Sequence, residues 1–406
     1  MFFEILSLTL LGITAGIFTG LIPGIHVNNV CVALLGFGSV LITYDIPTHA
    51  VASFIIAMAV THTILDFIPS IFLGAPEGAT ALSVLPGHRM LLQGKGLEAL
   101  YLTVLGGVWV TLIFVMASPV LIWALPVFYG AIKSHIHLIL LAILAVMIAT
   151  ERKNRRWALL VVIFSGILGL LLWDNPVAPL TILFFPIFTG LFGIPTLLMS
   201  LGDKSIIPPQ ESWIGVIDRG LVVSGVIKSF FSSLLVGTLP GVGASQATVM
   251  AQEITRKRDA REFLVSVGGI NTAVAIFSIL SLYTIDKARS GAAVAISRFL
   301  ESFGLNELVL LISVALIAIS ISSLLALFIG KRFLHLITRI PYHRISVVII
   351  GMLVLLVLLI TGPFGLLVLF TATSLGLVAP LTGIKRSHLM GVLLVPLIIF
   401  YSGVVI

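Results

Sequence analysis

Charge is scarce in this sequence. Only 10% of its 406 residues are Asp, Glu, Lys or Arg, while 59% are apolar and mean hydropathy is +1.22. A soluble domain carries about 25% charged and about 45–50% apolar residues, so a water-soluble globule and a disordered tail are both excluded. One cysteine, Cys31, rules out an internal disulfide and a cysteine-rich metal site. The first apolar stretch has no Lys or Arg before it, carries Glu4, and lacks a small-residue cleavage site after it; it is expected to stay as structure rather than be removed as a signal. A phosphate-cradling G-x-x-x-x-G-K-[ST] loop and an H-E-x-x-H pair are both missing, which speaks against ATP-driven pumping by this chain and against zinc hydrolysis.

What remains is an integral membrane protein. Apolar runs long enough for about 30 Å of hydrocarbon, about 20 residues each, lie near 99–124, 134–149, 157–173, 176–200, 306–330, 345–361, 363–380 and 387–405. They are punctuated by breaks such as Asp174-Asn175-Pro176 and Thr361-Gly362-Pro363. Four further stretches, 5–43, 48–82, 220–253 and 263–305, are apolar but interrupted by polar residues. Six basic groups lie between the runs, at 89/95, 152–156, 204/219, 256–261, 331–344 and 385/386, and hold 18 of the 23 Lys and Arg. The net charge of +7 is read as basic loops facing an anionic leaflet rather than as a nucleic-acid surface. All six groups share one face if 5–43 and 220–253 each enter and leave on the same side and 48–82 and 263–305 each make one net crossing. The expected fold is then all-α, with about ten transmembrane helices plus two re-entrant or broken hairpins. Residues 1–200 and 220–406 would form two inverted-topology repeats joined by a cytoplasmic linker at 201–219, the usual plan of secondary transporters.

A motif echo supports the repeat. Gly20-Leu21-Ile22-Pro23-Gly24-Ile25-His26 is matched 217 positions later by Gly237-Thr238-Leu239-Pro240-Gly241-Val242-Gly243, since 240 − 23 = 217. Proline and glycine together end a helix inside the bilayer. The freed backbone groups must then be buried against protein or line a wet cavity, because each costs several kcal/mol in lipid. Where a half-helix restarts, its amides favour an anion. Candidate anion-binding residues are therefore Pro23, Gly24, Ile25, His26 and Asn28 after the first break. After the second they are Pro240, Gly241, Val242, Gly243 and Ser245, with Asn271 and Thr272 beyond. The plain alternative is a pair of proline kinks held by neighbouring helices.

Ionisable residues within spans are costly and are functional candidates by default. His62 and Asp66 lie four apart, on one helical face, and read either as a proton- or cation-binding pair or as a neutral histidine held by a buried carboxylate. Glu77, in the Ala75-Pro76-Glu77-Gly78 turn, reads as a third coupling residue or as an interfacial charge. Asp286-Lys287-Ala288-Arg289 occupies the matching turn of the second half, either as a self-paired loop or as a lure for an anion.

The stretch Ser70-Ile71-Phe72-Leu73-Gly74-Ala75-Pro76-Glu77-Gly78-Ala79-Thr80-Ala81-Leu82, with Pro86, Met90, Gln93-Gly94 and Gly96, resembles the large membrane subunit of tripartite tricarboxylate transporters. Leu239-Pro240-Gly241-Val242-Gly243-Ala244 and Gly269-Ile270-Asn271-Thr272-Ala273 are similar to that family's second half. The chain differs in its shorter length, in Ile285-Asp286-Lys287 where a Pro-Gly turn stands in the family, and in a single asparagine at 271. These features resemble a distant, stand-alone branch of archaeal type. The resemblance implies a permease for carboxylates in the cell membrane, helped by a small membrane subunit and an extracellular binding protein.

The leading expectation is a secondary transporter, not an enzyme, for a small organic anion such as a di- or tricarboxylate, coupled to H⁺ or Na⁺ through His62, Asp66 and Glu77. No cofactor and no metal is called for. The second expectation is a translocase of a lipid-linked phosphate such as a polyprenyl phosphate. The third is an intramembrane metal-dependent enzyme using His26, His62 and Asp66.

Overall fold

A computed structural model describes residues 1–22, 27, 30–31, 46–74, 84–151, 153–201, 207–211, 214–238, 247–248, 251, 259–300, 302–338 and 342–404. Among these, every regular element is a helix, and nine helical stretches are long and apolar enough to cross a membrane. The protein is an all-α, multi-pass membrane protein.

In the first half the helices are α1 (Phe2–Leu21), α2 (Thr48–Leu65), α3 (Val84–Leu92), α4 (Gly96–Ile132), α5 (Ile136–Ala149), α6 (Arg155–Trp173), α7 (Leu180–Phe188) and α8 (Ile194–Leu201). The second half has α9 (Arg219–Thr238), α10 (Ala260–Ile285), α11 (Gly291–Phe299), α12 (Leu305–Ile337), α13 (Tyr342–Thr382) and α14 (Gly391–Ser402). The order of lengths recurs: a 20-residue helix, a buried helix, a nine-residue helix, then one of 33 residues or more. α13 bends at Gly362 (φ 66°), the Thr361-Gly362-Pro363 break. α4 runs past the expected 99–124 because Pro119 and Pro126 are absorbed within the helix. Its 37 residues span about 55 Å, more than the hydrocarbon layer needs.

Contacts set the direction of each helix. A Cβ on Gly12 would meet Phe54, on Gly16 Thr61 and on Gly20 Leu65, so α1 and α2 run in parallel. Likewise Gly225 faces Val265 and Gly237 faces Phe277, so α9 and α10 are parallel. The chain thus enters α2 from the side on which α1 begins, and α10 from the side on which α9 begins. α4 lies parallel to α10, from Glu98 beside Arg261 to Phe114 beside Phe277. α2 lies parallel to α12, from His49 beside Glu307 to Phe72 beside Phe333. The far end of α12 meets the start of α4, where Leu334 abuts Gly96 and Leu100 abuts Gly330. Therefore α1, α2 and α12 run one way and α4, α9 and α10 the other.

A second bundle is built from the rest of both halves. α6 pairs in parallel with α14, from Ser165 at Gly391 to Trp173 at Phe400. The second limb of α13 pairs with the α7–α8 segment, where Gly190 faces Leu369 and Gly376 faces Pro195. These directions are read from contacts and not from the distribution of basic loops, and with the connectivity of the helices they place Lys95, Lys153, Arg219, Arg261, Lys331 and Lys385 at one end of the molecule.

Candidate functional site

The interior at mid-depth is built by glycines. Lipid gives helices no hydrophobic reason to associate, so close backbone approach has to supply the packing. Gly106, Gly107, Gly268 and Gly269 bring α4 and α10 together so tightly that a Cβ on Gly106 would collide with the Val265 carbonyl and one on Gly268 with the Thr103 carbonyl. Gly107 lies against Thr272 and Ile64, which brings α2 to the same level.

At this level α2 stops being an α-helix. Pro69 cannot donate to the turn before it, and the chain continues as a π-helix over Pro69–Leu73 until Gly74 turns left-handed (φ 65°). π-turns of this kind recur at functional sites. Asp66 sits at the transition, buried with His62, Asn271 and Thr272. The Asn271 amide donates to the Asp66 carboxylate (3.0 Å) and to the Thr63 carbonyl (3.1 Å). It thereby ties two helices that run in opposite directions and belong to different halves. Asn271 lies 271 − 260 = 11 residues into α10, about 17 Å from its start and near the middle of its length. One turn before Asp66, His62 Nδ1 is 3.1 Å from the Thr19 hydroxyl on α1. Thr272 donates to the Gly268 carbonyl within its own helix (3.2 Å).

The arms that carry the two Pro-Gly motifs end close to this level. Gly20 lies against Leu65 and the Asp66 amide; Gly237 lies against Phe277, six residues or about 9 Å along α10 from Asn271. The motif residues Pro23, Gly24, Ile25, His26, Asn28, Pro240, Gly241, Val242, Gly243 and Ser245, and also Glu77, fall outside the described residues. Of the sequence-selected residues, then, His62, Asp66, Asn271 and Thr272 are brought together. Among the described residues no three His, Cys, Asp or Glu gather at metal-binding distance.

Among the described residues three ion pairs frame this core and another lies in the second bundle, and no local sequence pattern pairs their members. Glu98 in the first turn of α4 meets Arg261 in the first turn of α10 (2.6 Å). Glu307 in the first turn of α12 meets His49 in the first turn of α2 (3.2 Å). Lys228 and Glu262 form a buried pair at 2.8 Å, and Ser224 donates to the same carboxylate. In the second bundle Glu151, between α5 and α6, accepts from the Lys385 and Lys153 amides and lies 3.1 Å from His388. Burial opposes ionisation of Glu151, but those bonds outweigh it and hold its carboxyl down to about 2.

A sequence model of the tripartite tricarboxylate transporter TctA family matches residues 6–391. The chain belongs to the tripartite tricarboxylate transporter TctA family. An uncharacterised protein of Methanocaldococcus jannaschii is 33% identical over 407 residues, covering 97% of this chain and 98% of the relative. No solved structure matches.

The TctA family is one of transporters, and the match reaches from α1 into α14, so it takes in both bundles. In this TctA-family chain the turn after α10 departs from the self-paired loop. Among the described residues Asp286 makes no ion pair; it takes the left-handed conformation (φ 51°) that Gly74 takes after α2, and Arg289 lies over the Tyr129 ring at 5.1 Å. The missing Pro-Gly turn is thus met by an aspartate, one of the few side chains that tolerate this region.

Proposed function

We propose that this chain is a secondary permease for a di- or tricarboxylate, working by alternating access between two inverted repeats, 1–200 and 220–406. The observation that carries the reading is the Asp66–Asn271 bridge: a buried carboxylate at mid-depth, at a helix discontinuity, held by an amide from an oppositely directed helix. A carboxylate held in this way is a candidate coupling group; the first Pro-Gly arm ends beside it at Gly20 and the second about 9 Å along α10 from Asn271, at Gly237. The motif amides, with His26, Asn28 and Ser245, would hold the anion, while Asp66, with His62 and Glu77, would take up H⁺ or Na⁺. Because its amide is engaged by Asp66, Asn271 acts on the coupling group more directly than on the anion. The partners proposed are the small membrane subunit and extracellular binding protein of a tripartite assembly.

The test is uptake of labelled citrate, succinate and related carboxylates into proteoliposomes, with and without a proton or sodium gradient. Gradient-stimulated uptake of at least one is expected, with or without an added binding protein. Failure across a broad panel overturns the carboxylate assignment.

A further inference from the structure

Two of the ion pairs are the same contact made twice. His49 is the second residue of α2 and Arg261 the second residue of α10; Glu98 is the third residue of α4 and Glu307 the third of α12. Each pair joins the start of a core helix in one half to the start of the long helix in the other half. The offsets are close, 261 − 49 = 212 and 307 − 98 = 209. Since α2 and α10 run in opposite directions, the pairs lie at opposite ends of the bundle. Glu98–Arg261 is at the end holding the basic loops, and His49–Glu307 is at the other.

Helix stability does not account for the basic partners. A carboxylate in the first turn complements a helix dipole, and Glu307 also accepts from the Gly304 amide as a cap (2.9 Å). A positive group in a first turn is disfavoured by that dipole. Arg261 nevertheless occupies a first turn, and His49 takes the matching position on α2, each facing a carboxylate from the opposite half. The two contacts differ in tightness. On the basic-loop side the N–O distance is 2.6 Å, Glu98 is 6% exposed and the adjoining α4–α10 seam is closed by paired glycines. On the other side the distance is 3.2 Å and Glu307 is 19% exposed, while the basic partners Arg261 and His49 are about equally exposed.

We infer that Glu98–Arg261 and His49–Glu307 are the two gates of the transport cycle, each holding one face shut while the other opens. This rests on the alternating-access reading above, and it assigns gating to four residues outside the anion motifs and the Asp66–Asn271 bridge. Opening a face separates the start of a core helix from the start of the long helix it meets. The intact pair at the opposite end keeps the pathway from opening through.

The test uses the full-length protein with Cys31→Ala and a reporter cysteine at Thr63, beside the mid-depth bridge, labelled by membrane-impermeant maleimides added to either face. Glu98→Gln is expected to raise labelling from the basic-loop face about five-fold, and Glu307→Gln labelling from the opposite face by a similar factor. The charge-swapped Glu98→Arg/Arg261→Glu chain is expected to return labelling to the parental value, which separates gate loss from misfolding. Unchanged labelling in both glutamine variants, or a rise at the same face in both, overturns the gates even if carboxylate uptake is observed. Face-specific rises without uptake of any carboxylate leave the gates standing and overturn the substrate assignment.

Discussion

The side chains of Asp66 and Asn271 each reach only three bonds from the backbone, and that shortness decides their roles. A carboxylate buried at mid-depth is expensive unless hydrogen-bonded, and the Asn271 amide, donating to both Asp66 and Thr63, lowers that cost. Asp66→Asn keeps the shape and removes the ionisable proton. It is expected to leave the protein folded and exchange of substrate between equal pools intact, while abolishing stimulation by an ion gradient; counterflow measured against gradient-driven uptake checks this. Asn271→Ala leaves the carboxylate without its amide partner and is expected to cost about 1–3 kcal/mol, read as a lower thermal midpoint in detergent. Asp286 offers a separate trial of backbone strain. Because its φ of 51° suits glycine, Asp286→Gly is expected to be neutral or slightly stabilising, whereas Asp286→Val is expected to cost about 1–2 kcal/mol, on the same measurement.

Helices in this molecule meet through what they lack. Where α4 crosses α10, and where α6 crosses α14, glycine replaces any side chain, and a carbonyl of the partner fills the space. Gly106→Val and Gly268→Val are each expected to reduce the yield of folded, monodisperse protein severely, because the added carbons meet backbone that has no room to move. Gly130→Val, where nothing lies within 4 Å, serves as the control and is expected to behave like the parent. The glycines are visible in the sequence as residues, but their partners are not. Periodicity marks a helix as buried; it says nothing of which helix covers it. For the same reason the pairs Glu98–Arg261, Lys228–Glu262 and Glu151–His388 were illegible: their members stand 163, 34 and 237 positions apart, differences no local pattern records.

At the scale of the whole molecule, two bundles share both halves of the chain, so neither half folds around a core of its own. Glu151 pins the second bundle by linking the α5–α6 loop to the segment before α14. Its carboxyl lies below its ordinary value, so the bond contributes stability fully present above about pH 4.5 and lost as pH falls towards 2. Glu151→Gln is expected to lower the thermal midpoint at pH 7 and to flatten its dependence on pH in that acid range. The alternation of helix directions also predicts that tags inserted next to Lys153 and Arg219 report the same side of the membrane and a tag at Asp174 the opposite side; protease protection in vesicles reads the outcome.

Composition and hydropathy alone determined that this chain lives in a membrane and roughly where it crosses, since transfer free energy acts on each segment regardless of its neighbours. The Pro-Gly echo and the isolated ionisable residues pointed to His62, Asp66, Asn271 and Thr272 for the same reason: a polar group in hydrocarbon is costly wherever it stands. Only the tertiary structure decided that Asn271 answers Asp66, that helices from different halves pair in reciprocal sets, and that four distant ionisable side chains close into two matched contacts. Those facts depend on the chain's path through three dimensions, where the nearest neighbour of a residue is chosen by packing and not by position along the backbone.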